Sequence, residues 1–148
     1  MIKDERSYHQ RLQEFCDCFM ETDFRKELEG AARGVSGDPN DDPEELALKF
    51  LGLAFLYGAN EDARKISLKR AAGGKVLFSV QARGTYQLPP PSSDVAGRVI
   101  ALARAITHIE EDKGSEPFSL GLRNDRLDVT LQFDKTKEED SFSILFPA

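Results

Sequence analysis

Histidine, cysteine and tryptophan are scarce in this chain: two, two and none. His9 and His108 make no metal-binding spacing with other ligand types. Cys16 and Cys18 stand two apart on a segment read as helix, so their side chains point to different sides, which argues against an intrachain disulfide there. A lone Cys-x-Cys also falls short of the four ligands of a zinc site. Both cysteines read as small apolar fillers in a reducing compartment. Long apolar runs are missing as well. The longest, Leu46 to Ala59, is interrupted by Lys49 and is too short to span a bilayer. The charged start, Met1 to Arg6, leads into no signal-peptide core. The expectation is a cytoplasmic protein without membrane insertion.

Positive charge is in deficit. Lys and Arg number 20 against 26 Asp and Glu, a formal charge of −6. That argues against a sequence-independent nucleic-acid binder, which needs clustered positive charge. Motifs of catalysis are lacking too. A phosphate-loop reading of Gly74-Lys75 fails, because Lys69 stands where a glycine is required and Val76 where Ser or Thr is. No Gly-x-Ser-x-Gly elbow, His-Glu-x-x-His helix or dinucleotide glycine fingerprint occurs. The acidic cluster Asp38, Asp41, Asp42, Glu44 and Glu45 lacks calcium-loop spacing, and Glu110-Glu111-Asp112 reads as a solvated loop. The sequence offers no catalytic residue, metal ligand set or cofactor motif, and a non-enzyme is expected.

What remains is globular. Apolar residues make up 40% of 148, with ten Phe, and a chain of this length buries about 68–70% of its unfolded surface as one domain. Charge is uneven: residues 1–45 hold 13 acidic and 6 basic side chains, residues 46–148 hold 13 and 14. The division expected is therefore an acidic helical arm and linker over 1–40 and an α+β domain over 41–148.

Tyr8, Leu12, Phe15 and Phe19 recur at helical spacing, and Phe24, Leu28 and Ala31/Ala32 continue the signal after a break near Thr22-Asp23. Asp42 and Pro43 open a second helical stretch through Leu46, Phe50, Leu53 and Leu56, apolar nearly all round, with Gly58 as its left-handed stop. The period then becomes two. Ile66 and Leu68, then Phe78 and Val80, alternate with polar residues around a two-residue Gly73-Gly74 turn. Thr85 to Leu88 is extended and ends at three prolines. Ser92, Ser93 or Asp94 caps a helix whose stripe is Val95, Val99, Leu102, Ile106 and Ile109. After a loop over 110–117, strands at Phe118–Leu122, Leu127–Phe133 and Phe142–Phe146 are joined by turns at Asn124-Asp125 and 134–140. The fold class predicted is α+β: N-terminal helices, then a curved antiparallel sheet of hairpin, helix and three-strand meander.

This layout resembles the N-terminal, PAS-like domain of type II secretion and type IV pilus assembly ATPases. The resemblance rests on three stretches: Tyr57-Gly58-Ala59-Asn60 with the strand Lys65 to Leu68; Val76 to Ala82 leading to Leu88-Pro89-Pro90-Pro91; and Gly97 to Ala103 followed by Phe118-Ser119-Leu120 and Arg126 to Val129. The motor domain's Walker motifs are absent. Leu77 and Ser79 stand where the family places arginines that reach toward nucleotide, so that role does not carry over; Arg98 and Asp128 do match. The resemblance implies a non-catalytic interaction or regulatory domain whose partner is a secretion or pilus ATPase or a related component, with homo-oligomerisation left open. Phe15, Phe19, Phe24 and Arg98 are the partner-binding candidates. The alternative is a small-ligand sensor with a pocket between sheet and helix, lined by Phe78, Val80, Ile106, Leu120 and Leu131.

Overall fold

The computed structural model of the chain describes residues 8–19, 23–32, 43–122 and 125–147. Their order is α1 (Tyr8–Phe19), α2 (Phe24–Ala32), α3 (Pro43–Asn60), β1 (Lys65–Ala71), β2 (Val76–Gln81), β3 (Thr85–Gln87), α4 (Ser93–Thr107), β4 (Lys113–Leu122), β5 (Asp125–Lys135) and β6 (Glu139–Leu145). The strands form one antiparallel sheet in the order β3-β2-β1-β6-β5-β4, and the expected α+β class holds.

Period-two alternation gives the sheet one apolar face. Ile66, Leu68, Phe78, Val80, Val129, Leu131, Phe133, Phe142 and Ile144 are buried, and the helices α3 and α4 cover them. Helix α3 is buried on every side from Phe50 to Tyr57, as its unbroken apolar composition requires. It lies between the sheet and the first two helices: Leu12 and Cys16 of α1 and Leu28 of α2 belong to the same core. The helices of the 1–40 segment thus share the core of the 41–148 segment. Asp23 caps α2 by accepting from the Lys26 N–H at 3.2 Å, which is the physical form of the break read near Thr22-Asp23. Ring pairs tie the layers together, Phe50 on Phe78 at 5.0 Å and Phe55 on Phe118 at 5.6 Å.

Several local expectations are corrected. Gly58 does not end α3, which runs on to Asn60; the residue is buried in the helix with the Phe146 ring where a side chain would stand. The turn that follows uses Asp62 at φ 52° instead. Ala71 N–H donates to the Lys75 carbonyl at 2.8 Å and closes the first hairpin over three residues, Ala72, Gly73 and Gly74, with Gly74 at φ 94°, the left-handed third position that such loops require. Of the three capping candidates, Ser92 caps α4, accepting from Val95 N–H at 3.2 Å.

The segment 110–117 is not a loop throughout, because β4 begins at Lys113. Arg104 explains its position: it donates to the carbonyls of Glu111 (2.6 Å) and Asp112 (3.1 Å) while its guanidinium lies over the Phe133 ring. Pro117 is tolerated because β4 is an edge strand and the register, with Lys135 N–H on the Asp112 carbonyl, puts position 117 where the nitrogen faces away from β5. The turn expected over 134–140 is shorter, since β5 runs to Lys135 and β6 starts at Glu139. Leu122 pairs with Asp125, so the preceding turn at Asn124 lies outside the described residues.

Candidate functional site

The side of the sheet away from the helices is polar for the same reason that the other side is apolar. Strand alternation sends Lys65, Ser67 and Lys69 of β1 to this face, with Ser141 and Ser143 of β6, Gln132 and Asp134 of β5, and Lys113 and Ser115 of β4. Register then aligns them in rows. One row crosses all six strands as Gln87, Ser79, Ser67, Ser143, Gln132 and Ser115. The next runs Leu77, Lys69, Ser141, Asp134 and Lys113.

The middle of the face is sunken. Ser67 and Ser143 are 8% and 9% exposed, and their hydroxyls bond to each other at 3.1 Å. Around Ser143 lies an open groove of about 520 Å³, bordered by Lys65, Lys69, Lys113, Gln132, Asp134 and Glu139. That volume falls within the range of ligand sites. Among the described residues none of the three lysines has an ion-pair partner within 4 Å. Asp134 Oδ1 is buried and makes no hydrogen bond; the Asp134 carbonyl accepts from Ser141 Oγ at 3.0 Å. Among the described residues the groove therefore offers ammonium groups without ion-pair partners at its rim and hydroxyl and amide groups along its length.

A second concavity, about 560 Å³, lies beyond the end of α3 between Asn60, Asp62, Arg64, Arg83 and Tyr86. Beside it the Tyr57 and Tyr86 hydroxyls bond at 2.6 Å. Burial, then the bond to Tyr86, raises the Tyr57 hydroxyl above its ordinary range. Its charges are mixed, with Glu61 and Asp62 beside the arginines.

The residues singled out from sequence lie elsewhere. Phe24 is half-buried against the core from α2. The side chains of Phe15 and Phe19 lie outside the described residues. Arg98 is exposed on α4 and reaches Asp94 one turn back at 3.1 Å. Asp128 accepts from Ser119 Oγ at 2.5 Å and pairs with Arg126 at 2.9 Å; the Ser119 bond, ahead of the Arg126 contact, holds its carboxyl below the usual range. Phe78, Val80, Leu120 and Leu131 are at most 2% exposed and Ile106 is half-buried against the core. Phe78 borders a void between sheet and helix, shared with Phe50, Leu68, Val99 and Phe142, of about 10 Å³, which Val80, Ile106, Leu120 and Leu131 do not line; that is about the room one water needs.

Cys16 is buried with its Sγ 3.7 Å from the Gly52 carbonyl, and burial pushes its thiol up to about 12. It is a core group and not a nucleophile at neutral pH. Among the described residues no group of three His, Cys, Asp or Glu is placed to hold a metal ion, and no helix is long and apolar enough to cross a membrane.

The groove residues Lys65, Ser67, Lys69, Lys113, Gln132 and Ser143 were not singled out in sequence. Their signal was the polar half of each alternating strand, which by itself reads as a wet sheet face. No protein-family model matches this chain, and no curated protein matches it.

Proposed function

We infer that this chain is a non-catalytic interaction domain whose working surface is the open sheet face. The observation that carries the reading is the groove at Ser143, where three lysines without ion-pair partners among the described residues border a sunken hydroxyl- and amide-lined surface. A polar sheet face needs no cover, but unpaired charge gathered around a concavity is suited to recognition. The helical side supplies the scaffold: its apolar residues are spent on the core, and among the large apolar side chains described only Leu77 of the sheet is exposed. A sensor pocket between sheet and helix is not supported by a 10 Å³ void.

The resemblance set out from sequence gives the partner class, a secretion or pilus ATPase or a component associated with one, and a PAS-like scaffold. It rests on sequence pattern alone. A buried thiol at Cys16 fits a reducing, cytoplasmic setting. The test is site-specific photocrosslinking in the source cells. A crosslinker at Gln132 is expected to capture a defined partner that one at Ala105, exposed on α4, does not. Equal capture from both positions, or none from Gln132, would remove the open face from its role.

A further inference from the structure

Resting on that reading, we propose that the groove of the open face takes an extended acidic peptide segment of a partner protein, with carboxylates four residues apart. Charge and spacing both lead there. Lys65 and Lys69 lie four residues apart on one face of β1, roughly 13 Å between their backbones. Lys69 and Lys113 share a row but are separated by β6 and β5, three strand spacings or roughly 14 Å. An extended chain also advances roughly 13 Å in four residues. A single acidic repeat therefore satisfies either pair of lysines, along β1 or across the sheet.

Between the lysines the surface suits a peptide backbone. Ser115 and Gln132 can donate to carbonyls or accept from N–H groups, and the Ser141 hydroxyl, whose proton goes to the Asp134 carbonyl, can still accept. Asp134 and Glu139 within the same border oppose a uniformly charged polymer such as a nucleic acid, whose phosphates follow one another without a neutral interval. They permit a chain whose carboxylates are spaced to reach the lysines and whose intervening residues are uncharged.

The experiment is fluorescence anisotropy with the full chain and a labelled, terminally blocked nonapeptide carrying glutamate at its first, fifth and ninth positions, serine and threonine elsewhere. Saturable binding is expected, weakened at least tenfold by the double reversal Lys69→Glu with Lys113→Glu. Both lysines are exposed, and an unchanged thermal melt checks that the fold is kept. Raising salt from 50 to 500 mM should weaken binding, as screening requires. Equal affinity for the peptide with lysine at the three positions overturns the proposal, as does indifference to the charge reversal. Displacement of the peptide by inorganic triphosphate at equal concentration also overturns it, in favour of a small-anion site. If the peptide fails while Gln132 still crosslinks a partner, the occupant is wrong and the face stands; if both fail, the face falls too.

Discussion

The side-chain amide of Gln13, on α1, bonds both backbone polar groups of Gly121 on the edge strand β4. Its Oε1 accepts from the Gly121 N–H at 2.6 Å and its Nε2 donates to the Gly121 carbonyl at 2.5 Å. That is the pair of bonds a neighbouring strand would make. Exposed strand edges template pairing with other chains, and here one end of the edge is closed by a side chain while Pro117 withholds an N–H further along. Replacing Gln13 with Ala should cost about 1–2 kcal/mol, the usual loss for a pair of partly buried hydrogen bonds. It should also increase self-association, read by sedimentation velocity across a concentration series. Unchanged stability together with unchanged association would show that the contact does not protect the edge.

Gly58 and Phe146 give a steric prediction. A methyl group at Gly58 would fall 2.1 Å from Phe146 Cζ, closer than any real contact. Gly58→Ala should therefore destabilise by about 1–3 kcal/mol, as overpacking does, despite alanine's better helix propensity. Combined with Phe146→Ala, the same substitution should become neutral or stabilising. A urea-denaturation double-mutant cycle measures the coupling, and simple additivity would contradict the steric account.

The Ser67–Ser143 pair should behave asymmetrically. Either single change to Ala leaves a nearly buried hydroxyl without its partner, at a cost of about 1 kcal/mol. The double change removes both groups and should cost less than the sum of the singles. Equal and additive losses in thermal melts would mean that each hydroxyl is satisfied by solvent.

Cys16 sets a pH dependence. Its thiol is raised from 9.0 to about 12 in the folded state, so the unfolded chain releases this proton first as pH rises. The contribution is whole below pH 9 and is lost progressively between 9 and 12, at most about 1.4 kcal/mol per pH unit. A Cys16→Val variant should lose less stability than the native chain between pH 8 and 10.5, measured as the shift in urea midpoint. Identical shifts in the two proteins would remove Cys16 as the source.

How much of this was legible in sequence follows from the range of the interactions. Helix α4 was readable because its stripe is local, although the sequence leaves the cap among Ser92, Ser93 and Asp94 and carries the stripe to Ile109, past the helix end at Thr107. The alternation of Ile66 with Leu68, and of Phe142 with Ile144, marked strands and their buried face without reference to any partner. The start of β4 was not readable: Gly114, Ser115, Glu116 and Pro117 carry no apolar period, and Arg104 and β5 place them from outside. Gly58 misled because a glycine near a helix end usually stops it, whereas here the ring it must accommodate comes from Phe146. The groove was hidden for the same reason. Lys69 and Lys113 are ordinary polar residues of separate strands until two intervening strands set them in one row.

The pairing of β1 with β6 orders events in time. Ser67 and Ser143 are 76 residues apart in the chain, yet their strands are the two innermost of the sheet. The hairpin β1–β2 and the meander β4–β5–β6 can each form from neighbouring residues, but joining them must wait for a long loop to close. Until then each half presents its inner edge, apolar on one side, and a chain emerging from the ribosome carries the edge of β1 uncovered while all of the intervening sequence is made. The slowest and most aggregation-exposed step of maturation is therefore expected at the centre of the finished sheet and not at its rims.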